Sequence, residues 1–340
     1  MPRKRDDDAI AAFVDRLAAA PWLSARQREW PLYLFHVTDV RNAASILAGG
    51  ELLSHEVAVR QNVLLVAASA AEIMDGTAPW VHRQVRLYFR PRTPTFSRNE
   101  GLRPPDTRWE GVHCPVPVAM LFDAKHVLGV EGVRWSRQNM AKRDPNPWIR
   151  SDAASLEELP FRTIYHDEPI ADDEDKKTIV SCRQAEVLVP SPLRIDALRQ
   201  VVVRSPADHA SLRTLLHEHR VTPRRRAELE GLLRIDEGMF IGEWTAVREV
   251  ARAGEEMIFR FRPPRYGPAV FSARLVWQDS GDKVRLESPA FPLDPIHSWR
   301  CRVPAELRGR VLRVSLHLDD ALAFTGWFAP EVETLIPSVP

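Results

Sequence analysis

The sequence predicts an α+β domain, then a helical connector, then a small β-sandwich, and three observations predict it. Before Ser205-Pro206, apolar runs of strand length and amphipathic stretches of helical period follow each other out of strict alternation, an α+β rather than a βαβ pattern. Residues 207–233 carry Leu212, Leu215 and Leu216 on one helical face. From Met257 onward, alternating apolar residues are separated by Pro and Gly, the texture of a β-sandwich. A length of 340 residues suits two domains with well-filled cores. The expected division is 1–205, a connector at 206–235, and 236–340.

In chain order, Asp8 precedes Ile10, Phe13, Val14 and Leu17 at helical spacing, and Pro21 ends that helix. Leu32 to Val37 reads as a strand. Asp39 is placed to cap the next helix, which carries Val40, Ala43, Ala44 and Leu47 and stops at Gly49-Gly50. Val85–Phe89, Val116–Phe122 and Val187–Val189 are further strands, with polar loops expected at Ser136–Ser151 and Asp167–Lys177. In the C-terminal part Met257, Phe259 and Phe261 alternate, as do Leu275 and Trp277, and Val311, Val314, Leu316 and Leu318 form another run.

Composition narrows the function classes. Forty-seven basic against 46 acidic side chains give a net charge of +1, so no overall basic character marks a nucleic-acid binder. Cys114, Cys182 and Cys301 are far apart and odd in number, which argues against a disulfide framework or a Cys-based metal site and for a reducing cytoplasm. The longest apolar run, Val63–Ala71, is interrupted by Ser69 and too short for a membrane span, and Asp6-Asp7-Asp8 follows the basic start instead of a secretory apolar region. No GxGxxG, P-loop, HExxH or GxSxG is present. His209, His217 and His219 lack acidic or cysteine companions at metal spacing, so no metal is expected.

Three segments stand out. Leu34-Phe35-His36-Val37-Thr38-Asp39, with Asn42 behind, puts a His and a Thr at a strand end beside a helix N-terminus, where free N–H groups favour a polar or anionic ligand; a core histidine next to an ordinary cap has the same pattern. Around His82–Pro94, residues 81–108 hold seven arginines and two acids, interleaved with Tyr88, Phe89 and Phe96. Arginines for phosphates and aromatics for bases make a single-strand channel, and a solvated Arg-rich loop has the same composition. In Cys182-Arg183-Gln184-Ala185-Glu186-Val187-Leu188-Val189, Glu186, a poor strand former, opens an apolar strand, a place that invites a reason, the commoner one being a salt bridge at a sheet edge.

Together these segments resemble the DarT family of DNA ADP-ribosyltransferases. That family shows a Tyr-His-Ile-Thr-like strand, a helix ending in a Gly-Leu-Leu turn, a His-Asp-Tyr-Val-Pro-Phe-Tyr-Phe-x-Pro-Arg-x-Pro strand, and Arg-Gln-Ala-Glu-Phe-Leu-Val. The matching segments here are Phe35-His36-Val37-Thr38, Ala48-Gly49-Gly50-Glu51-Leu52-Leu53, His82 through Pro94, and Arg183 through Val189, in the same order across residues 32–204. The resemblance implies a split, strongly curved antiparallel sheet that holds NAD⁺ as co-substrate and transfers ADP-ribose to a base of single-stranded DNA. On it, His36 and Thr38, backed by Asn42, bind NAD⁺ together with Tyr88 and Arg92. Arg90, Arg98, Arg183 and Gln184 face the nucleic acid. Glu186 is the catalytic glutamate, and Arg60, in Arg60-Gln61-Asn62, is the best match to the family's second essential arginine. The family's Tyr is Phe35 here, and Val133-Arg134-Trp135-Ser136-Arg137-Gln138-Asn139 replaces its target-facing stretch, which leaves the acceptor base, and DNA or RNA, open.

The resemblance also implies a toxin or phage-defence effector with a macrodomain antitoxin as partner; the C-terminal domain lies outside the resemblance and is expected, by analogy of fold alone, to recruit a partner, a substrate or a second copy of itself, and no membrane is expected. Two alternatives stand beside the active transferase: an inactive sensor of NAD⁺ or nucleic acid, and an ADP-ribosyltransferase acting on protein. The near-zero charge hides a polarised first domain. Residues 1–205 hold 28 basic and 27 acidic side chains, yet 81–108 carry +5, while 157–175 set eight acids against one arginine.

Overall fold

The structure, a computed structural model, describes residues 2–66, 76–110, 112–140, 147–171, 175–265, 269–279, 281, 283–293 and 298–330. Residues 67–71 of the apolar run, and parts of both expected polar loops, lie outside the described residues. No helix among the described residues is long and apolar enough to cross a membrane.

Among the described residues ten strands precede residue 236: β1 (Tyr33–Asp39), β2 (Glu51–Leu52), β3 (Gln84–Tyr88), β4 (Pro117–Asp123), β5 (Arg134–Ser136), β6 (Ile149–Arg150), β7 (Glu186–Pro190), β8 (Leu193–Arg194), β9 (Leu198–Val203) and β10 (Leu233–Ile235). Eight of them form one sheet in the order β10-β9-β4-β1-β3-β7-β5-β6. Every pairing in it is antiparallel except β10 on β9. β1 runs along β4 for seven residue pairs but meets β3 at only one, Phe35 opposite Tyr88. The sheet is therefore split between β1 and β3, and that gap is where a ligand cleft can open.

Local chemistry explains the elements beside the gap. Asp39 accepts a hydrogen bond from Arg41 N at 3.1 Å and so caps the helix Val40–Gly49, which ends at Gly50 with φ +81°. Ile10, Phe13 and Val14 of the first helix, Asp7–Ala18, are buried in the same core as Leu34, Phe35, Leu121 and Phe122. Three residues of the expected Ser136–Ser151 loop are strand instead: Ser136 ends β5, and Ile149–Arg150 pairs with Trp135 and Ser136. Burial of Trp135 organises that hairpin.

Residues 207–233 form two helices, Pro206–Glu218 and Pro223–Glu230, broken at the Pro223 turn. The chain then enters the first sheet as β10, Leu233 aligning with Val201, so this stretch adds a strand to the first domain. Beyond it β11 (Ala246–Ala253), β12 (Glu256–Arg262), β13 (Val270–Gln278), β14 (Lys283–Pro292), β15 (Ser298–Arg302), β16 (Leu312–Leu318) and β17 (Ala321–Phe328) make two antiparallel sheets, β11-β12-β15 and β14-β13-β16-β17. Met257, Phe259, Phe271, Leu275, Trp277, Leu316 and Phe324 fill a core of their own, as the alternation predicts for a sandwich. Val311 is the exception: it precedes β16 and is exposed.

The helix Pro206–Glu218 packs on the helix Val40–Gly49 on one side and on β11 and β17 on the other. Ser205 Oγ donates to Val247 O at 3.0 Å, and Ser211 Oγ accepts from Thr325 N at 3.0 Å. Arg204 is buried between Asp208, whose oxygens lie 2.8 and 3.4 Å away, Pro115 O at 3.1 Å, and Glu100 at 4.0 Å. Glu100 in turn accepts from Ile241 N at 2.6 Å and Gly242 N at 3.0 Å. Buried charge and backbone bonds thus join the two cores.

Candidate active site

The gap between β1 and β3 opens into a cavity of about 350 Å³. Its walls include His36 and Thr38 of β1, Asn42, the segment Val63–Leu64 with Val66, Arg86 and Tyr88 of β3, Arg92, Phe96 and Cys114. The strand alternation of β3 puts Val85 and Leu87 into the core and Arg86 and Tyr88 toward the cleft.

His36 faces this space in the neutral form. Its Nδ1–H donates to Arg86 O at 3.3 Å across the gap, and burial holds its pKa down at about 4, against the opposing effect of that bond. Thr38 and Asn42 stand next to it. Asn42 Nδ2 donates to Thr38 Oγ1 at 3.1 Å and Val66 O at 2.8 Å, while Oδ1 accepts from Leu65 N at 2.9 Å and Val66 N at 3.1 Å. All four hydrogen-bonding positions of the amide are used within the protein, so Asn42 shapes the cleft wall by fixing residues 65 and 66.

Glu186 opens β7 and is 0% exposed. Register sets it opposite Tyr88. Its carboxylate takes a two-point clamp from Arg86, Nε to Oε2 at 3.1 Å and Nη2 to Oε1 at 2.5 Å, and Oε2 also accepts from Met140 N at 3.2 Å. Tyr88 is the cross-strand neighbour of Glu186, and burial and then the Glu186 charge push its phenol well above the ordinary value, so it stays protonated. Burial opposes the charge on Arg86, but Glu186 overrides it and the guanidinium pKa is raised. Arg86 and Tyr88 line the cavity, and Glu186 lies directly behind them.

Arg86 continues into a polar chain. Its Nη2 donates to Asn139 Oδ1 at 2.7 Å, and Asn139 Nδ2 reaches Gln184 Oε1 at 3.1 Å. Thr95 Oγ1 donates to Gln184 Oε1 at 2.8 Å, and Gln184 Nε2 donates to Val180 O at 3.1 Å. Gln184, on the loop before β7, is thereby linked to Glu186 through Asn139 and Arg86.

Other expected site residues lie elsewhere. Arg60 ends the helix His55–Arg60, exposed and off the cavity wall, so the arginine the fold brings to Glu186 is Arg86 and not Arg60. Arg90 is 2% exposed and has four of its donor contacts inside the fold: Pro91 O at 3.0 Å, Ile164 O at 3.1 Å, His166 O, and Asp167 at 2.6 Å. It lines the cavity, but these contacts commit its donors to bracing the domain. Arg92 lines the cavity with φ +52° and pairs with the other oxygen of Asp167. Arg183 Nη2 contacts His166 and donates to Glu168 O at 2.7 Å. Arg98, like Arg60, is exposed, its guanidinium 5.4 Å over the Trp109 ring. Within the Arg-rich stretch Arg90 and Arg92 are thus paired with one residue of the acidic stretch, Asp167. Among the described residues no group of His, Cys, Asp or Glu is arranged to hold a metal ion.

Sequence reading missed Arg86, Asn139 and the Met140 amide. The available signal was the i, i+2 spacing of Arg86 and Tyr88, which puts both on one strand face.

The family model for DarT, an ssDNA thymidine ADP-ribosyltransferase, matches residues 35–230, beyond the stretch carrying the motifs. Similar solved structures include Thermus sp. 2.9 DarT in complex with ADP-ribosylated ssDNA, at 18% identity and TM-score 0.47, covering 62% of this chain and 96% of that one. The same protein in complex with NAD⁺ gives 17% and 0.46, with 62% and 98% covered. Thermosipho africanus DarTG in complex with ADP-ribose gives 16% and 0.45, with 65% and 53% covered. No curated protein matches the chain. With the family model spanning more than half of its length, the chain belongs to the DarT family of NAD⁺-dependent ssDNA thymidine ADP-ribosyltransferases.

Proposed function

We propose that this chain transfers ADP-ribose from NAD⁺ to thymidine in single-stranded DNA, with Glu186 as the catalytic carboxylate. The observation that carries the reading is a fully buried, ionically clamped glutamate directly behind the wall of a cleft whose other wall presents a neutral histidine. His36 and Thr38 bind the nicotinamide end, and Arg92 and Tyr88 border the same space.

In the reaction the bond between nicotinamide and the ribose C1′ breaks, its electron pair leaving with nicotinamide. A new bond forms between C1′ and the thymidine base, and the proton displaced from the base goes to the Glu186 carboxylate. Positive charge grows on the ribose in between, and a carboxylate fixed beforehand stabilises it without reorganising. Outside the cleft, Arg98 and Trp109 offer a cation and an aromatic face to the strand. Effector action restrained by a macrodomain antitoxin follows from family membership, and the C-terminal sandwich serves as its interaction module.

The test is mass spectrometry of DNA and RNA oligonucleotides, with and without thymidine, after incubation with NAD⁺. ADP-ribose should appear only on thymidine-containing DNA, and Glu186→Gln should lower labelling by about 10²-fold or more. Undiminished labelling by Glu186→Gln refutes the assignment. NAD⁺ binding with no nicotinamide release by the wild type favours the sensor reading instead.

A further inference from the structure

We infer that Arg86 is the positioning residue of this reaction: it fixes the plane of the Glu186 carboxylate and ties it to the acceptor-side loop through Asn139. The inference rests on the proposed role of Glu186.

Arg60, the sequence match to a second essential arginine, is exposed and away from the cavity. Arg86 reaches Glu186 because β3 and β7 are hydrogen-bonded neighbours in register, Arg86 opposite Leu188 and Tyr88 opposite Glu186.

A carboxylate accepts about four hydrogen bonds. Here Oε2 takes Arg86 Nε and Met140 N, and Oε1 takes Arg86 Nη2. The Arg86 fork is charge-assisted and bidentate, so it stays in place and holds the carboxylate in one plane while a ribose hydroxyl approaches.

The second hydrogen of Arg86 Nη2 reaches Asn139 at 2.7 Å, and Asn139 reaches Gln184. Asn139 ends the stretch Val133–Asn139 that departs from the family, and Gln184 precedes the catalytic strand. The side chain that orients Glu186 is thus bonded to the loops facing the acceptor, which couples carboxylate geometry to the acceptor side.

The experiment compares wild type, Arg86→Met and Arg86→Lys by steady-state nicotinamide release and by oligonucleotide labelling, with NAD⁺-induced thermal shift as the measure of binding. Arg86→Met should lower kcat by about 10²-fold through misplacement of the carboxylate, while KM for NAD⁺ stays within about 3-fold. Arg86→Lys, which restores charge but not the planar fork, should recover kcat only to about a tenth of wild type. Wild-type kcat in Arg86→Met overturns the inference, as does full recovery in Arg86→Lys, which would assign the effect to charge alone. If Arg86→Met does not fold, Arg86→Lys decides by itself. An inactive wild type refutes the proposed function instead, so the two failures are separable.

Discussion

Replacing Arg204 by Met tests how the two cores are joined. Arg204 and its partners Asp208 and Glu100 are almost fully buried, with side-chain exposures of 3%, 1% and 3%. Burial raises the pKa of both carboxyls, and the Arg204 charge is the leading influence pulling each one down again. Arg204→Met strands two buried carboxyls next to a hydrocarbon, a situation that costs about 3–5 kcal/mol when one partner of a buried pair is removed. An unfolding entropy near 2.1 cal/mol/K per residue makes this a fall in Tm of roughly 4–7 °C for the whole chain unfolding as one unit. Differential scanning calorimetry reads the shift. Adding Asp208→Asn removes one stranded charge, so the double variant should lie above the sum of the single effects by about 1 kcal/mol or more. A Tm within 1 °C of wild type for Arg204→Met, or strict additivity in the double variant, refutes the view that this network fastens the domains.

Three further outcomes follow from the same structure. His36, His113 and His317 are each held down at about 4, chiefly by burial, so between about pH 6.5 and 4 the unfolded chain binds more protons than the folded one; the stability from these neutral imidazoles is whole above 6.5 and lost as pH falls toward 4. Tm should therefore drop between pH 7 and 4.5 less steeply in His113→Gln than in wild type, and equal slopes would exclude His113 from the effect. Asn42→Ala removes four hydrogen bonds, three of which fix residues 65 and 66, and should cost about 2–4 kcal/mol; it should also shrink the NAD⁺-induced thermal shift, and an unchanged shift would show that the cleft wall does not depend on it. Gly101 has φ +86°, and a Cβ there would sit 2.8 Å from Trp244 Cβ, so Gly101→Ala should lose about 1–3 kcal/mol, measured by chemical denaturation; full stability would mean that this close approach is slack.

The sequence by itself determined the elements and the two ends of the site. Alternation and helical period placed β1, β3, β4 and β7 within two residues, because burial of one face is written locally into side-chain order. His36 and Glu186 were legible because each breaks a strand pattern beside a recognisable motif. What only the tertiary structure decided was partnership. Arg86 and Glu186 are separated by a hundred positions, and only the β3–β7 register makes them a pair. The same holds for Arg90 and Arg92, which the Arg-rich composition assigned to ligands and which the fold commits to Asp167. Residues 233–235 read as connector, yet they close the edge of the first sheet by pairing with β9. The reason is common to all three: composition counts charges and strand pairings one at a time, whereas desolvation obliges each buried charge and each backbone edge to find a partner, and that partner is chosen by the path of the folded chain.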